Sequence, residues 1–332
     1  MKILVSIVLL SGFIISNTST EVKAQTASSK NKLSVIFDTD ANNELDDQHA
    51  MAYLFSNMDY FDIKAITVNA TSGGGDVHEQ SNEAERIMTL FNVNNKIPLL
   101  KGANKSFTEI KDEIDNPNFD GFKAVNFIIS EAKKYTQEKL VVIAVGKLTN
   151  MALALKKDSS IAENIRLVWL GSNYPNPGEY NLENDIESMN YVLNTNIEFE
   201  MVTVSYGKLT GTDVVRVTQK EINSNMSGIT PKIKNPIIGR HGGEFDNFGD
   251  YSISLFKHID YHGNPPSRAL YDMAAVAIVK DPKWAKPSII PCPIMIDENW
   301  VEQPDNSRKI TVWEYFDKEE IIADFYNSLR KF

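Results

Sequence analysis

The sequence predicts an α/β fold, a doubly wound and mostly parallel sheet flanked by helices. Three observations support this prediction. Strand-like and helix-like segments alternate along most of the 332 residues. The strand-like segments are rich in Val and Ile and almost continuously hydrophobic, as strands covered on both faces are. Residues 25–332 contain no convincing linker, so we expect one domain whose parallel strands are joined by right-handed crossovers.

The first half of the chain supplies three strand–helix pairs. "LSVIF" is a short β-branched run, and the longer "DDQHAMAYLFSNM" after it is typical of a helix. "IKAITV" precedes "DVHEQSNEAERIMTLF", and "IPLL" precedes "DGFKAVNFIISEAKKY". Short Val- and Ile-rich runs favour strands, whereas longer segments of spaced apolar residues favour helices.

The second half continues the alternation and then becomes less regular. "KLVVIAV" precedes "LTNMALALKK", "IRLVWL" precedes "DIESMNYVL", and "EFEMVTV" follows as a sixth strand. Beyond it, "DYSISLFKHI" and "SRALYDMAAVAIVK" are helix-like. We expect helices over both of these last segments.

Residues 1–24 are typical of a secretory signal peptide. Lys2 precedes an apolar run over 3–15, and a polar stretch ends in Val22-Lys23-Ala24. The apolar run is short for a membrane span, which needs about 20 residues. We therefore expect an exported protein, periplasmic or secreted, with no membrane association after processing. An uncleaved anchor is the alternative.

Composition excludes some functions. The formal net charge is −10 and no basic run occurs, so nucleic-acid binding is not expected. Cys292 is the single cysteine, so no disulfide can form within the chain.

An acidic loop separates the first strand from the first helix. Asp38, Asp40, Asp46 and Asp47 fall between "LSVIF" and the helix-like run. Ligands of open α/β sheets bind at the carboxyl ends of strands. Crowded carboxylates raise one another's pKa values unless a cation is present, and Ca²⁺ prefers oxygen ligands. The alternative for Asp46 or Asp47 is an ordinary helix cap, which explains one aspartate better than four.

The motif resembles that of the inosine-uridine preferring nucleoside hydrolases. "DTDANNELDDQHA" is similar to the family's N-terminal D-T-D…D-D motif. A D-x-D after a strand also begins haloacid-dehalogenase phosphatases, but no convincing set of their other catalytic residues follows. Three further segments occur in the family's order: "GKLTNMALAL" resembles G-P-L-T-N-L-A, "GSNYPNPGEYN" resembles the Asn and A-E-F-N segment, and "SRALYDMAAVAIV" resembles H-D-P-x-A.

The resemblance implies an enzyme that cleaves the N-glycosidic bond of ribonucleosides with a bound Ca²⁺. It implies that the metal ligands are Asp40, Asp47, Asp272 and the backbone carbonyl of Thr149. It implies that the substrate-binding residues are Asp46, Asn173, Glu179, Asn181 and Asp272. The expected catalytic residues are Asp40 as the base for water, and His241 or Tyr271 on the side of the departing base, with Tyr251, His258 and His262 as further candidates. Thr149 as a helix cap and Asn173 in a polar turn are the alternatives. Family members are commonly dimers or tetramers.

The sequence departs from the family in three places. "ANNEL" makes the loop between Asp40 and Asp46 two residues longer, so Asn42, Asn43 or Glu44 could share its contacts. The family's Gly-Asn after the second strand is missing; Asn69 is earlier and Ser72 has the expected spacing. Tyr271 stands where many members have a His.

Two other functions stay open at this point. One is hydrolysis of a different ribosyl or glycosyl compound, which the lengthened loop favours. The other is a Ca²⁺-dependent sugar-binding protein without turnover.

Overall fold

The structure, a computed structural model, describes residues 32–332. The predicted signal peptide, residues 1–24, lies outside the described residues. Over the described range, the helices are too short or too polar to span a bilayer.

Eight strands form the central sheet. Within residues 32–332 the strands are β1 (Leu33–Thr39), β2 (Phe61–Val68), β3 (Leu99–Lys101), β4 (Leu140–Ala144), β5 (Ile165–Ser172), β6 (Glu198–Thr203), β7 (Arg216–Val217), β8 (Ile237–Ile238), β9 (Glu244–Phe245), β10 (Arg268–Ala269), β11 (Lys286–Pro291), β12 (Ile294–Ile296), β13 (Asn299–Val301) and β14 (Lys309–Glu314). The central sheet has the order β11-β14-β6-β5-β4-β1-β2-β3. Its strands are parallel except β11, which runs antiparallel to β14 at one edge. The fold prediction of a mostly parallel sheet is confirmed.

Helices cover both faces of the sheet. In the described part of the chain they are α1 (Asp46–Ser56), α2 (Val77–Leu90), α3 (Phe107–Ile110), α4 (Phe122–Ala132), α5 (Thr149–Lys157), α6 (Tyr180–Asn184), α7 (Ile186–Leu193), α8 (Gln219–Met226), α9 (Phe248–Phe256), α10 (Tyr271–Lys280) and α11 (Lys318–Lys331). Residues of α1, α2, α9, α10 and α11 belong to one core, and residues of α4, α5 and α7 belong to the other.

Successive strand residues enter opposite cores. Val35 and Phe37 of β1 lie in the core with α1, whereas Ile36 lies in the core with α5. Side chains of a strand alternate between the faces of its sheet, so a strand covered on both faces must be apolar throughout. This explains the uninterrupted hydrophobic runs of the sequence.

The last third of the chain contains the elements that the sequence did not predict. The helix expected over 267–280 begins only at Tyr271, because Arg268 and Ala269 pair with Val217 and Arg216 as a short antiparallel ladder. Strands β11 and β14 extend the sheet at one edge, and helix α11 packs against α1. The hydrophobic pattern of β11 is weak because four of its residues are exposed.

The strand order reverses direction between β1 and β4. The chain moves outward from β1 to β2 and β3, then returns to place β4 on the other side of β1. A crevice forms at such a switch point, outside the carboxyl ends of the two strands. Asp38 is the second-last residue of β1, and Asp40 directly follows this strand. The fold therefore places the acidic loop at the mouth of the crevice.

Packing of α1 against α10 and α11 holds the acidic loop in place, because α1 begins at Asp46. Leu54 of α1 is fully buried. We expect Leu54→Ala to lower the free energy of unfolding by about 2–5 kcal/mol, through lost burial and a residual cavity. Urea denaturation measures this change. The matched variant Leu209→Ala, at a side chain 85% exposed, should change it by less than about 0.5 kcal/mol; equal effects would contradict the assignment of Leu54 to the core.

Candidate active site

Three buried carboxylates converge at the crevice. Asp46 and Asp47 lie in the first turn of α1, and Asp272 is the second residue of α10. One carboxylate oxygen from each lies within 4.8 Å of the others. The two helices begin side by side, so residues more than two hundred positions apart in sequence meet. Three converging carboxylates form a donor set suited to a hard divalent cation.

Burial and mutual repulsion raise the pKa values of this cluster. Burial, assisted by the charges of Asp40 and Glu179, raises the pKa of Asp46 to about 7. Burial first, and then the neighbouring carboxylates, raise the pKa values of Asp47 and Asp272 well above their usual range. None of the ion pairs formed within residues 32–332 includes these three side chains. The cluster therefore lacks a protein counter-charge in direct contact.

Asp40 lies beside the cluster but is not one of the three converging carboxylates. Thr71 donates its hydroxyl to Asp40 Oδ2 at 2.5 Å, and Tyr180 in turn donates to Thr71 at 3.1 Å. Burial raises the pKa of Asp40 to about 6. The resemblance implied Asp40 as a ligand and Asp46 as a substrate contact; in the structure it is Asp46 that joins Asp47 and Asp272.

Asp38 serves the fold. Its carboxylate accepts hydrogen bonds from Thr67 at 2.5 Å, Asn150 at 2.7 Å and Asn69 at 3.1 Å. These donors come from β2, from the residue after β2 and from α5, so Asp38 ties three segments together at the edge of the sheet. It does not line the cavity described below.

Two predicted site residues follow β5 and line the same crevice. Glu179 has a φ of 126°, a backbone conformation that a non-glycine residue adopts only when the surrounding structure enforces it. Its carboxylate accepts from Leu182 N at 3.0 Å, and burial raises its pKa to about 7. Asn181 donates its amide N–H groups to Val145 O at 2.8 Å and Leu170 O at 3.1 Å. Its Oδ1 is therefore left as an acceptor.

A cavity of about 1120 Å³ opens above these groups. Six predicted site residues line it, and we call these residues its floor: Asp40, Asp46, Asp47, Glu179, Asn181 and Asp272. We call the other lining residues its walls; they include Glu44, Tyr206, Asp213, Arg216, His262, Arg268 and Tyr271. A volume of this size holds a small organic ligand with space to spare.

Three predicted residues do not line this cavity. Asn173 follows β5 and has a buried Oδ1 without a partner among the described residues. Thr149 begins α5 and donates its hydroxyl to Asp185 at 2.5 Å, so its carbonyl as a metal ligand stays a prediction. His241 stacks on His258 at 4.4 Å between ring centroids, on a surface loop outside the cavity. His241 is absent from the lining of the cavity, and its assignment to the departing base stays a prediction.

Tyr271 lines the cavity, but its hydroxyl is engaged. It donates to Asp213 Oδ1 at 2.9 Å, and burial followed by the charge of Asp213 raises the pKa of Tyr271 far above its usual value. Asp213 also accepts from Arg216 Nη1 at 2.7 Å and from Gly207 N at 3.1 Å. Tyr206 meets the Tyr271 ring edge-on at 5.8 Å between centroids. Tyr271 therefore lines the cavity with its hydroxyl already bound to Asp213, and its catalytic role stays a prediction.

The lengthened acidic loop packs away from the cluster. Asn42 bonds to residues outside the carboxylate cluster. Its backbone N–H donates to Gln80 Oε1 at 2.6 Å, and its side-chain amide donates to Gly74 O at 2.7 Å. Glu44 reaches across the cavity wall and forms an ion pair with buried Arg268. The two extra residues thus change the wall of the cavity, whereas Asp46 and Asp47 still meet Asp272.

A family model supplies the decisive comparison. The model described as inosine-uridine preferring nucleoside hydrolase matches residues 35–321. The chain belongs to this family. It is a nucleoside N-ribohydrolase family enzyme, as the resemblance implied. No curated protein matches the chain significantly.

Solved structures agree with this nucleoside hydrolase in fold. A plant nucleoside hydrolase, PpNRh1, is 17% identical with a TM-score of 0.68, over 90% of this chain and 99% of that one. An inosine-uridine preferring nucleoside hydrolase from Bacillus anthracis is 18% identical with a TM-score of 0.67, over 90% and 100%. A purine-preferring ribonucleoside hydrolase from Gardnerella vaginalis is 19% identical with a TM-score of 0.64, over 90% and 98%.

The site also contains residues that the sequence did not single out. Thr71, which donates to Asp40, follows β2 by three residues, and Tyr206 follows β6 by three. Inspecting the carboxyl end of every strand would have found both. Ser72, at the spacing of the family's Asn, binds Asn184 and Tyr180 instead. No sequence signal pointed to Asp213 or Arg268.

The raised pKa values predict how the cation-free protein responds to pH. The pKa of Asp46 is 3.8 ordinarily and about 7 when folded. The folded state therefore holds a proton that the unfolded state has lost, and its stability decreases as pH rises through this window. The variant Asp46→Asn mimics the protonated carboxyl. In EDTA at pH 8, its free energy of unfolding should exceed that of wild type by at least about 1 kcal/mol, and at pH 4 the two values should be equal. Urea titrations at both pH values measure this, and a constant difference would contradict it.

Proposed function

We propose that the protein is an exported, Ca²⁺-dependent hydrolase that cleaves the N-glycosidic bond of ribonucleosides into ribose and free base. The observation that carries this proposal is the buried triplet of Asp46, Asp47 and Asp272 on the floor of a ligand-sized cavity. Family membership supplies the reaction class. The triplet fits calcium because all its donors are hard oxygens, and nothing else in contact neutralises them.

Asp40 is the proposed base for the attacking water. When bound, Ca²⁺ would lower the pKa of water and hold the sugar diol. Thr71 occupies Asp40 Oδ2, so Oδ1 is left to accept a proton from water. A carboxylate whose pKa is near 6 remains ionised at neutral pH and is a stronger base than an unperturbed aspartate.

The sugar is proposed to lie between the carboxylates and the residues after β5. Asn181 offers only its Oδ1 and therefore accepts from a hydroxyl group. Glu179, a buried residue of the floor, accepts from another hydroxyl. Cleavage passes through an oxocarbenium-like state, and a ring of fixed acceptors around the sugar favours that positive charge.

A second candidate substrate is another ribosyl or glycosyl compound with a larger aglycone. The size of the cavity favours this substrate class, because it leaves space for more than a sugar. The Glu44–Arg268 ion pair also favours it, because both residues line the cavity outside its floor. A sugar-binding protein without turnover would keep the floor and the cation while releasing no product.

Export and assembly belong to the same proposal. The signal-like residues 1–24 support delivery to the periplasm or the medium. A dimer or tetramer is proposed from family membership alone.

A nucleoside panel tests the reaction. We expect free ribose from at least one purine or pyrimidine ribonucleoside, with activity lost in EGTA and restored by Ca²⁺ in excess. A reducing-sugar assay beside calorimetry measures both. Ribose release from another riboside alone would favour the second candidate, and binding without any release would favour the sugar-binding protein.

Asp40→Asn tests the assignment of the base. We expect kcat to decrease by about 10²–10⁴-fold, because the amide cannot accept the proton of water. The control Asp305→Asn, on an exposed loop, should retain wild-type turnover. Unchanged turnover of Asp40→Asn, with Ca²⁺ affinity preserved, would remove Asp40 from the mechanism.

A further inference from the structure

The base of a nucleoside departs more easily when it receives a proton. When the C–N bond of a nucleoside breaks, its electron pair moves to a ring nitrogen of the base, and protonation at that moment lowers the barrier. Histidine is the side chain whose ordinary pKa suits this task near neutral pH. The chain has five histidines, and all lie within the described residues.

Four of the five histidines are placed elsewhere. His49 is fully buried, and its ring nitrogens bond to Leu45 O and Ser252 Oγ. His78, on α2, forms a hydrogen bond with Lys101, on β3. His241 and His258 stack on each other outside the cavity. None of these four lines the cavity that holds the predicted site residues.

His262 does line the cavity. It begins a tight loop whose two ends, His262 and Ser267, exchange backbone hydrogen bonds of 2.9 Å. Its side chain is exposed, and no partner among residues 32–332 holds the ring. The ring is therefore free to meet a ligand that enters above the floor.

The loop that carries His262 is attached to the cavity wall. Arg216 donates from Nε to Ser267 Oγ at 3.0 Å and from Nη2 to Ser267 O at 2.8 Å. The remaining guanidinium contact goes to Asp213, which also accepts a hydrogen bond from the Tyr271 hydroxyl. One chain of hydrogen bonds thus links the His262 loop to Asp213 and occupies the Tyr271 hydroxyl, whereas the ring of His262 stays unbound among the described residues.

We propose that His262 is the general acid for the departing base, an inference that rests on the proposed function. As the bond from the anomeric carbon to the base breaks, its electron pair passes to the base, and a ring nitrogen of the base takes the proton of the His262 imidazolium. Water oxygen bonds to the anomeric carbon and loses a proton to Asp40. Ribose and neutral base leave, and exchange with solvent restores both side chains.

The leaving group of the substrate separates this role from a binding role. Hypoxanthine in inosine departs poorly without a proton, whereas the nitrophenolate of p-nitrophenyl β-D-ribofuranoside departs as a stable anion. We expect His262→Gln to lower kcat for inosine by about 10²–10³-fold and to change nitrophenolate release by less than about threefold. His258→Gln, an exposed histidine outside the cavity, is the matched control and should behave as wild type on both.

The outcomes distinguish the two proposals. Equal losses on both ribosides, or a loss below about tenfold on inosine alone, would overturn the role of His262 while the hydrolase function stands. Wild-type protein that cleaves neither riboside would overturn the hydrolase function and the role of His262 together. A raised KM for inosine at unchanged kcat would assign His262 to binding and likewise overturn its role as the acid.

Discussion

The structure depends on keeping several carboxylates buried next to one another. Asp46, Asp47 and Asp272 repel each other, and burial adds to the cost of ionising them. A protein that retains such a cluster without a contacting Lys or Arg has a folded state that favours either protons or a cation. A cation that binds the folded cluster therefore stabilises the native state.

The sheet makes this arrangement attainable. Because β1 and β4 lie at the reversal of strand order, their carboxyl ends border the same crevice. Packing of α1 against α10 then aligns the two helix starts, so that carboxylates from both ends of the chain meet. Gly146, after β4, lies so close to Asp40 that an added Cβ would be 3.0 Å from Asp40 Oδ1. The backbone of the β4–α5 turn thus approaches the floor closely.

The aspartates of one motif divide their tasks according to what surrounds them. Asp38 has three hydrogen-bond donors and joins secondary-structure elements, whereas Asp40 accepts the Thr71 hydroxyl on Oδ2 and lines the cavity. The wall follows the same logic. Asp213 accepts from Tyr271, Arg216 and Gly207, which makes it a fixed support. The side chains left to react are those with polar atoms that no protein group binds.

The sequence by itself determined the alternation of strands and helices, the parallel sheet, and the acidic loop at the first strand end. Those features depend on local periodicity and on residues close together in the chain. Only the tertiary structure decided that Asp46 joins the cluster beside Asp40, that His241 lies away from the cavity, and that the Tyr271 hydroxyl donates a hydrogen bond to Asp213. Such choices depend on distances between elements far apart in sequence, which packing sets and local pattern does not record.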